Sequence, residues 1–417
     1  HIVLLYLEIM GIISALKCRE CNKEYSPRFI YICEDCFGPL DVQYKIDTAI
    51  TKHTFESRSD LTYWRYFEIL PIEGKKNIVS LNGAITPLQK ADNLGNSLGG
   101  FKNLYIKNDS VNPTFSFKDR PAGVAVSKAK EMNLSAVGCA STGNLASATA
   151  AHAAKANLPC YIFAPSDIED VKIAQALSYG GKFVAVDGTY DDTNRIASVI
   201  GDSNGYGIVN INMRPYYVEG SKTLAFEVLE QLNWTVPDVL VIPVGSGAML
   251  NAICKGFEEI MNLGLISDIS NLRIIAAQPN GCAPIVDAYK NRSNEVIPVE
   301  KPNTVAKSLA IGDPGDGLYV LKRLRQYNGI GEKVTDSEIK NAILLLAKSE
   351  GIFTEPAGGV AVGVLKKLID ENKIDKDENI VCYVTGNGLK TTESITDLLP
   401  TPSSVKPDIR LVSAMIR

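Results

Sequence analysis

Lys118 is the residue of this chain with the most chemistry to offer. It stands in Ser110-Val-Asn-Pro-Thr-Phe-Ser-Phe-Lys118-Asp-Arg-Pro121, between aromatic and turn-forming residues, at the mouth of an expected helix. A lysine held in a partly desolvated pocket loses some of its ammonium character and can form a Schiff base with an aldehyde. Most lysines are solvated surface residues, so this motif alone carries little weight.

Three glycine-bearing loops change the balance. In Ala140-Ser-Thr-Gly-Asn144 an apolar strand meets an alanine-rich helix, and small residues leave backbone N–H groups open to an anion at the helix N-terminus. In Val241-Ile-Pro-Val-Gly245-Ser-Gly-Ala-Met249 a strand, a glycine loop and a helix form a nest for a monophosphate. No Gly-Lys-Ser/Thr follows, and Leu250 stands where a dinucleotide fingerprint has its third glycine. Ile380-Val-Cys-Tyr-Val-Thr385-Gly-Asn-Gly388 ends a β-rich run at the strand edge where ligands of open α/β sheets bind. Taken singly, each loop also reads as an ordinary turn or helix cap. Taken together with Lys118, each suits one part of pyridoxal phosphate. The amides of Gly245, Ser246, Gly247, Ala248 and Met249 suit its phosphate, Asn144 its phenolate oxygen and Thr385 its pyridine nitrogen.

These segments resemble the fold-type II pyridoxal-phosphate enzymes, and within them the threonine synthase family. Asn112-Pro-Thr-Phe-Ser-Phe-Lys-Asp-Arg120, Ser141-Thr-Gly-Asn144, Glu219-Gly-Ser-Lys-Thr223 and Thr385-Gly-Asn-Gly-Leu-Lys390 are similar to that family's motifs and come in its order. The likeness runs from about Val79 to Leu399. Phe115 and Pro121 depart from it, since glycine is usual at both places, and Phe115 bears on the shape of a substrate pocket. The resemblance implies pyridoxal phosphate carried on Lys118 and conversion of O-phospho-L-homoserine and water to L-threonine and phosphate. Lys107, Ser141 and Thr142 match family positions near the departing phosphate. Arg214, in Asn212-Met-Arg-Pro-Tyr-Tyr217, is a further candidate that also reads as a solvated surface arginine. Two other readings stay open. One is a dehydratase, or a β-replacement enzyme of cysteate synthase type acting on phosphoserine; the other is a non-catalytic binding protein on the same scaffold.

Cys18-x-x-Cys21 and Cys33-x-x-Cys36 carry a second chemistry. Four thiolates in two knuckles suit a tetrahedral zinc ion, so a zinc ribbon is expected over residues 12–45, with a small hairpin between the knuckles. Cys139, Cys160, Cys254, Cys282 and Cys382 lie in apolar runs and read as core thiols. Unpaired thiols in this number point to a reducing cytoplasm. The formal net charge of −4 gives no electrostatic case for nucleic acid. None of the three histidines lies in a nucleophile–base motif. The apolar stretch His1–Lys17 is shorter than the ~20 residues of a spanning helix. Residues 1–9 read as an extension upstream of a start at Met10-Gly11, and no membrane partner is expected.

The elements that must position these groups follow from alternation. Helical stretches at 119–132, 144–156, 168–179, 190–202 and 220–233 alternate with apolar runs at 136–140, 159–164, 182–186 and 207–211. A second set covers 238–244, 248–263, 272–277, 335–350, 358–371 and 379–384. This pattern predicts parallel βαβ units in a two-domain α/β protein. The smaller unit is expected over 105–230 and the larger over 46–104 with 231–400, leaving a tail at 401–417. The site is expected in the cleft between them, in a chain expected to act as a homodimer.

Overall fold

The computed structural model describes residues 13–45, 50–141, 143–166 and 170–416. Thr142, and the proposed start and extension at residues 1–11, lie outside the described residues. Strands are numbered in chain order. β1 (Ile13–Cys18), β2 (Glu24–Tyr25) and β3 (Leu40–Tyr44) make an antiparallel sheet in the order β2-β1-β3. The expected hairpin between the two knuckles does not form. Instead the first knuckle is itself the turn: Asn22, at φ 61°, sends Glu24–Tyr25 back onto Leu16–Lys17.

β4 (Leu88–Lys90), β5 (Leu104–Asn108), β10 (Val239–Pro243), β11 (Arg273–Pro279), β12 (Ile330–Val334) and β13 (Ile380–Val384) form a six-stranded sheet in the order β12-β11-β10-β13-β5-β4. It is parallel except at β4. β6 (Val137–Ala140), β7 (Cys160–Pro165), β8 (Lys182–Val186) and β9 (Gly207–Ile208) form a four-stranded parallel sheet in the order β8-β7-β6-β9. β5, where the sequence places the opening of the smaller unit, lies hydrogen-bonded between β13 and β4 of the larger sheet.

β10 shows why these runs are strands. All five of its residues are buried, and Val239 to Ile242 alternate between two cores, as a parallel strand covered on both faces requires. Leu240 and Ile242 pack with residues of the helices Thr223–Gln231, Ala248–Asn262 and Gly317–Gln326. Val239 and Val241 pack with those of Asp336–Glu350 and Pro356–Asp370. Local signals set the helix ends. Thr335 and Glu338 make a reciprocal capping box, and Gly351 at φ 69° stops that helix. The single helix expected at 220–233 is two, Arg214–Ser221 and Thr223–Gln231, meeting at Lys222. Gly220 is the reason for close packing there: a Cβ at this position would overlap the carbonyl of Arg120, so the helices Asp119–Glu131 and Arg214–Ser221 touch backbone to backbone.

A third core joins the N-terminal sheet to the smaller unit. Leu16, Tyr25, Leu40 and Val42 pack in one cluster with Ala125, Val126, Val137, Tyr216 and Val218.

Candidate active site and four-cysteine cluster

Three of the predicted segments meet because β10, β13 and β5 are parallel neighbours. The loop 245–249 follows β10, Thr385 follows β13, and the segment leading to Lys118 follows β5, so all three leave the carboxyl edge of one sheet. The backbone N–H of Phe117 donates to the carbonyl of Thr385 at 2.8 Å, and that of Asn387 donates to the carbonyl of Phe115 at 3.0 Å. Lys390 Nζ donates to the carbonyl of Thr114 at 3.0 Å. The Thr-Gly-Asn-Gly-Leu-Lys motif is thus the latch that fixes the lysine loop.

Lys118 caps the helix Asp119–Glu131. Its Nζ donates to the hydroxyl of Tyr217 at 2.9 Å and lies 4.6 Å from the centroid of the Phe117 ring. Pro121 falls in the first turn of that helix, where a backbone N–H has no intrahelical partner, so proline fits where the family usually has glycine. Phe115 has the opposite character. Its φ of 68° is the left-handed conformation that glycine adopts freely, and the residue is 47% exposed. The departure at Phe115 is therefore one of backbone conformation at the loop.

The fourth segment arrives from the smaller sheet. Asn144 opens its helix after β6, and its Nδ2 donates to both carboxylate oxygens of Glu355, at 2.9 and 3.1 Å. Glu355 is buried at the start of Pro356–Asp370, and its backbone N–H donates to the carbonyl of Gly386 at 3.0 Å. Burial raises its pKa, against the Asn144 hydrogen bond and the charges of Lys390 and Lys118. Burial lowers the pKa of Lys390, against the carboxylates of Glu355 and Asp119. Thr385 is buried, and among the described residues its hydroxyl engages no protein partner.

In the loop after β10, Gly247 has φ 96° and caps the helix Ala248–Asn262. The amides of Gly245, Ser246 and Gly247 donate to no protein acceptor among the described residues. A cradle of free N–H groups at a helix N-terminus fits a phosphate. Asp316, buried, donates its backbone N–H to the carbonyl of Ser246 at 3.1 Å. Arg214 pairs with the carboxylate of Asp316 and so stands beside this loop.

Lys107 is a correction. It was expected near a substrate phosphate, but its side chain is fully buried against the helix Thr223–Gln231. Its Nζ bonds Glu227 at 2.6 Å, Gln231 at 2.8 Å and the carbonyl of Thr86 at 2.8 Å. On β5 it sits between other strands, and a cation there must find a carboxylate. Ser141 is at the mouth of the helix that Asn144 opens. Sequence reasoning missed Tyr217, Glu355 and Asp316. A signal existed for Glu355: it directly precedes a proline that opens a helix.

The Sγ atoms of Cys18, Cys21, Cys33 and Cys36 all lie within 4.8 Å of one another. Four ligands at ~2.3 Å from a tetrahedral zinc ion would stand about 3.8 Å apart, so the cluster fits one ion. The other five cysteines are buried and unpaired. No helix among the described residues is long and apolar enough to cross a membrane.

Residues 79–386 match the family described as pyridoxal-phosphate dependent enzyme. Threonine synthase of Methanocaldococcus jannaschii is 38% identical over 96% of this chain and 99% of its own length. That of Methanosarcina acetivorans is 38% identical over 96% of this chain and 98% of its own. The chain belongs to the threonine synthase family. The family's fold is also that of more distant enzymes. The processed form of threonine deaminase isoform 2 from Solanum lycopersicum superposes with a TM-score of 0.64, at 24% identity, over 76% of this chain and 84% of its own.

Proposed function

We propose that this protein is a threonine synthase that converts O-phospho-L-homoserine and water to L-threonine and phosphate. The observation that carries the reading is the convergence of the family's motifs on Lys118: Tyr217 holds its Nζ, and Thr385 holds the backbone of the preceding residue. Pyridoxal phosphate, carried on Lys118, would supply an electron sink for charge developed at the substrate carbons. Gly245, Ser246, Gly247, Ala248 and Met249 would hold its phosphate, and Asn144 and Thr385 its ring.

The protein's own part is orientation and proton handling. Tyr217 aims Lys118 Nζ and can exchange a proton with it over 2.9 Å. Glu355, whose pKa burial raises, accepts from Asn144 Nδ2 and holds it in place. Ser141, Thr142 and Arg214 remain for the substrate phosphate, Arg214 as the cation suited to it. Zinc in the four-cysteine cluster would be structural, since four thiolates leave no open position. The five cysteines outside the cluster, buried and without disulfides, support a reducing cytoplasm. The reading includes a homodimer, which sedimentation tests.

The deciding experiment records the protein's absorbance and then compares phosphate release from O-phosphohomoserine and O-phosphoserine, with amino-acid analysis of the products. Threonine formed from phosphohomoserine supports the reading. Faster turnover of phosphoserine without threonine overturns it in favour of β-replacement.

A further inference from the structure

The four-cysteine module is fastened to both sides of the cleft. Towards the smaller unit, the carbonyl of Arg28 accepts from Tyr216 at 2.9 Å, and Tyr44 donates to Glu219 at 2.6 Å. Tyr216 and Glu219 flank Tyr217, the partner of Lys118. Towards the larger unit, Lys255 Nζ donates to the carbonyl of Val42 at 2.8 Å, and Tyr319 donates to Glu20. Arg19, which follows Cys18 of the four-cysteine cluster, reaches Asp316 beside the proposed phosphate cradle. Its Nε and Nη2 grip Asp41 at 2.6 and 2.7 Å, and its Nη1 bonds Asp316 at 3.0 Å. Its guanidinium carbon lies 4.8 Å from the centroid of the Tyr319 ring. Asp316 is the residue whose backbone holds Ser246 and whose carboxylate also holds Arg214.

We propose that Arg19 is a positioning residue for the cofactor-phosphate loop, acting through Asp316 on Ser246 and Arg214. The proposal rests on the pyridoxal-phosphate reading. Two physical effects support it. The first is geometric. A planar guanidinium fixed on one side by Asp41 and stacked on Tyr319 has few ways to move, so Asp316 is held where its backbone meets the loop. The second is electrostatic. Asp316 is a buried carboxylate beside a seat for a dianion, and the residues Gly245–Met249 carry no cation of their own. Arg19 and Arg214 balance Asp41 and Asp316. Without Arg19 these four positions carry one net negative charge, which repels phosphate. The N-terminal module would then be part of cofactor retention, although none of its residues touches the cofactor.

The test uses the full-length protein with Arg19→Met, Arg19→Lys, Asp316→Asn and the double variant R19M/D316N. Hydrogen exchange in the cofactor-free proteins is followed over residues 244–251, with β7 as the internal control. R19M should exchange faster at 244–251 and unchanged at β7. Pyridoxal phosphate affinity, measured by equilibrium dialysis, should fall about tenfold in R19M, the scale of one charge-assisted hydrogen bond. R19K should fall between wild type and R19M. The double variant should bind no more weakly than D316N alone, because one path is broken only once. Wild-type exchange at 244–251 in R19M overturns the proposal whatever the cofactor does. So does an affinity within twofold of wild type, or an additive loss in the double variant. If the wild-type protein binds no pyridoxal phosphate, the cofactor reading fails and the proposal falls with it. That outcome is separate from the exchange result.

Discussion

Replacing Glu227 by Gln should unfold this protein well before it harms substrate binding. Glu227 is 1% exposed and sits between two cations. Arg120 reaches it through Nη1 at 2.5 Å and Nη2 at 2.8 Å, and Lys107 Nζ at 2.6 Å. Arg120 also holds Asp109, with Nε to Oδ2 at 2.7 Å. Two carboxylates and two cations balance in this buried group, and the substitution leaves one positive charge without a partner. Breaking a buried pair from one side costs about 3–5 kcal/mol. A second route gives a similar size. Burial raises the Glu227 pKa, but Arg120 and Lys107 outweigh it and bring it down to about 2. Against an ordinary value near 4.5, that depression corresponds to about 3 kcal/mol. At ~2–4 °C per kcal/mol, Tm should fall by roughly 6–20 °C. The sign with pH follows from the depressed pKa. The contribution is full above the unfolded value and is lost as pH falls through about 2. The Tm gap between wild type and variant should therefore narrow from about pH 5 to about pH 3. Thermal denaturation monitored by circular dichroism measures both. A Tm within about 2 °C of wild type would refute the reasoning, since that is less than 1 kcal/mol. Lys107→Met is the companion test: a lowered Tm with unchanged KM for phosphohomoserine fits a structural lysine. A wild-type Tm with raised KM would return Lys107 to the substrate.

Tyr217→Phe removes the oxygen that accepts from Lys118, and turnover should fall by about tenfold with cofactor affinity retained; steady-state kinetics beside a cofactor titration separates the two. Gly220→Ala drives a methyl group into the carbonyl of Arg120 and should cost about 1–3 kcal/mol in a denaturant titration. Metal analysis of protein prepared without chelator should find one zinc per chain, and its removal should lower Tm, whereas immediate loss of turnover with the fold intact would contradict a structural role. Borohydride reduction should fix the pyridoxyl group on the peptide containing Lys118, and Lys118→Ala should abolish both the label and turnover.

Much of this arrangement was legible in the sequence. Parallel strands such as β10 and β13 are apolar throughout, and each ends at a glycine loop, so element type and ligand edge came from one pattern. Lys118, Asn144 and the loop 245–249 sit where that pattern ends. What was missed depends on partners far along the chain. Lys107 alternates correctly with its neighbours on β5, but only the fold shows that Glu227 lies beneath it. Glu355 meets Asn144 across 211 residues and Tyr217 meets Lys118 across 99, separations at which local spacing says nothing. Phe115 hid its left-handed backbone, because a bulky aromatic residue gives no signal for positive φ.

The shared core of the N-terminal sheet has a consequence for synthesis. Leu16, Tyr25, Leu40 and Val42 leave the ribosome early, yet Tyr216 and Val218, which cover them, follow some 170 residues later. At ~5–20 residues per second the delay is roughly 10–35 s. Throughout it, the nascent segment holds an apolar face that Tyr216 and Val218 do not yet cover, and a metal ion on its four thiolates would tie its two knuckles together. The N-terminal sheet is therefore made well before it can be finished. Slow metal supply during translation should show itself as aggregation of new chains, well before any loss among mature ones.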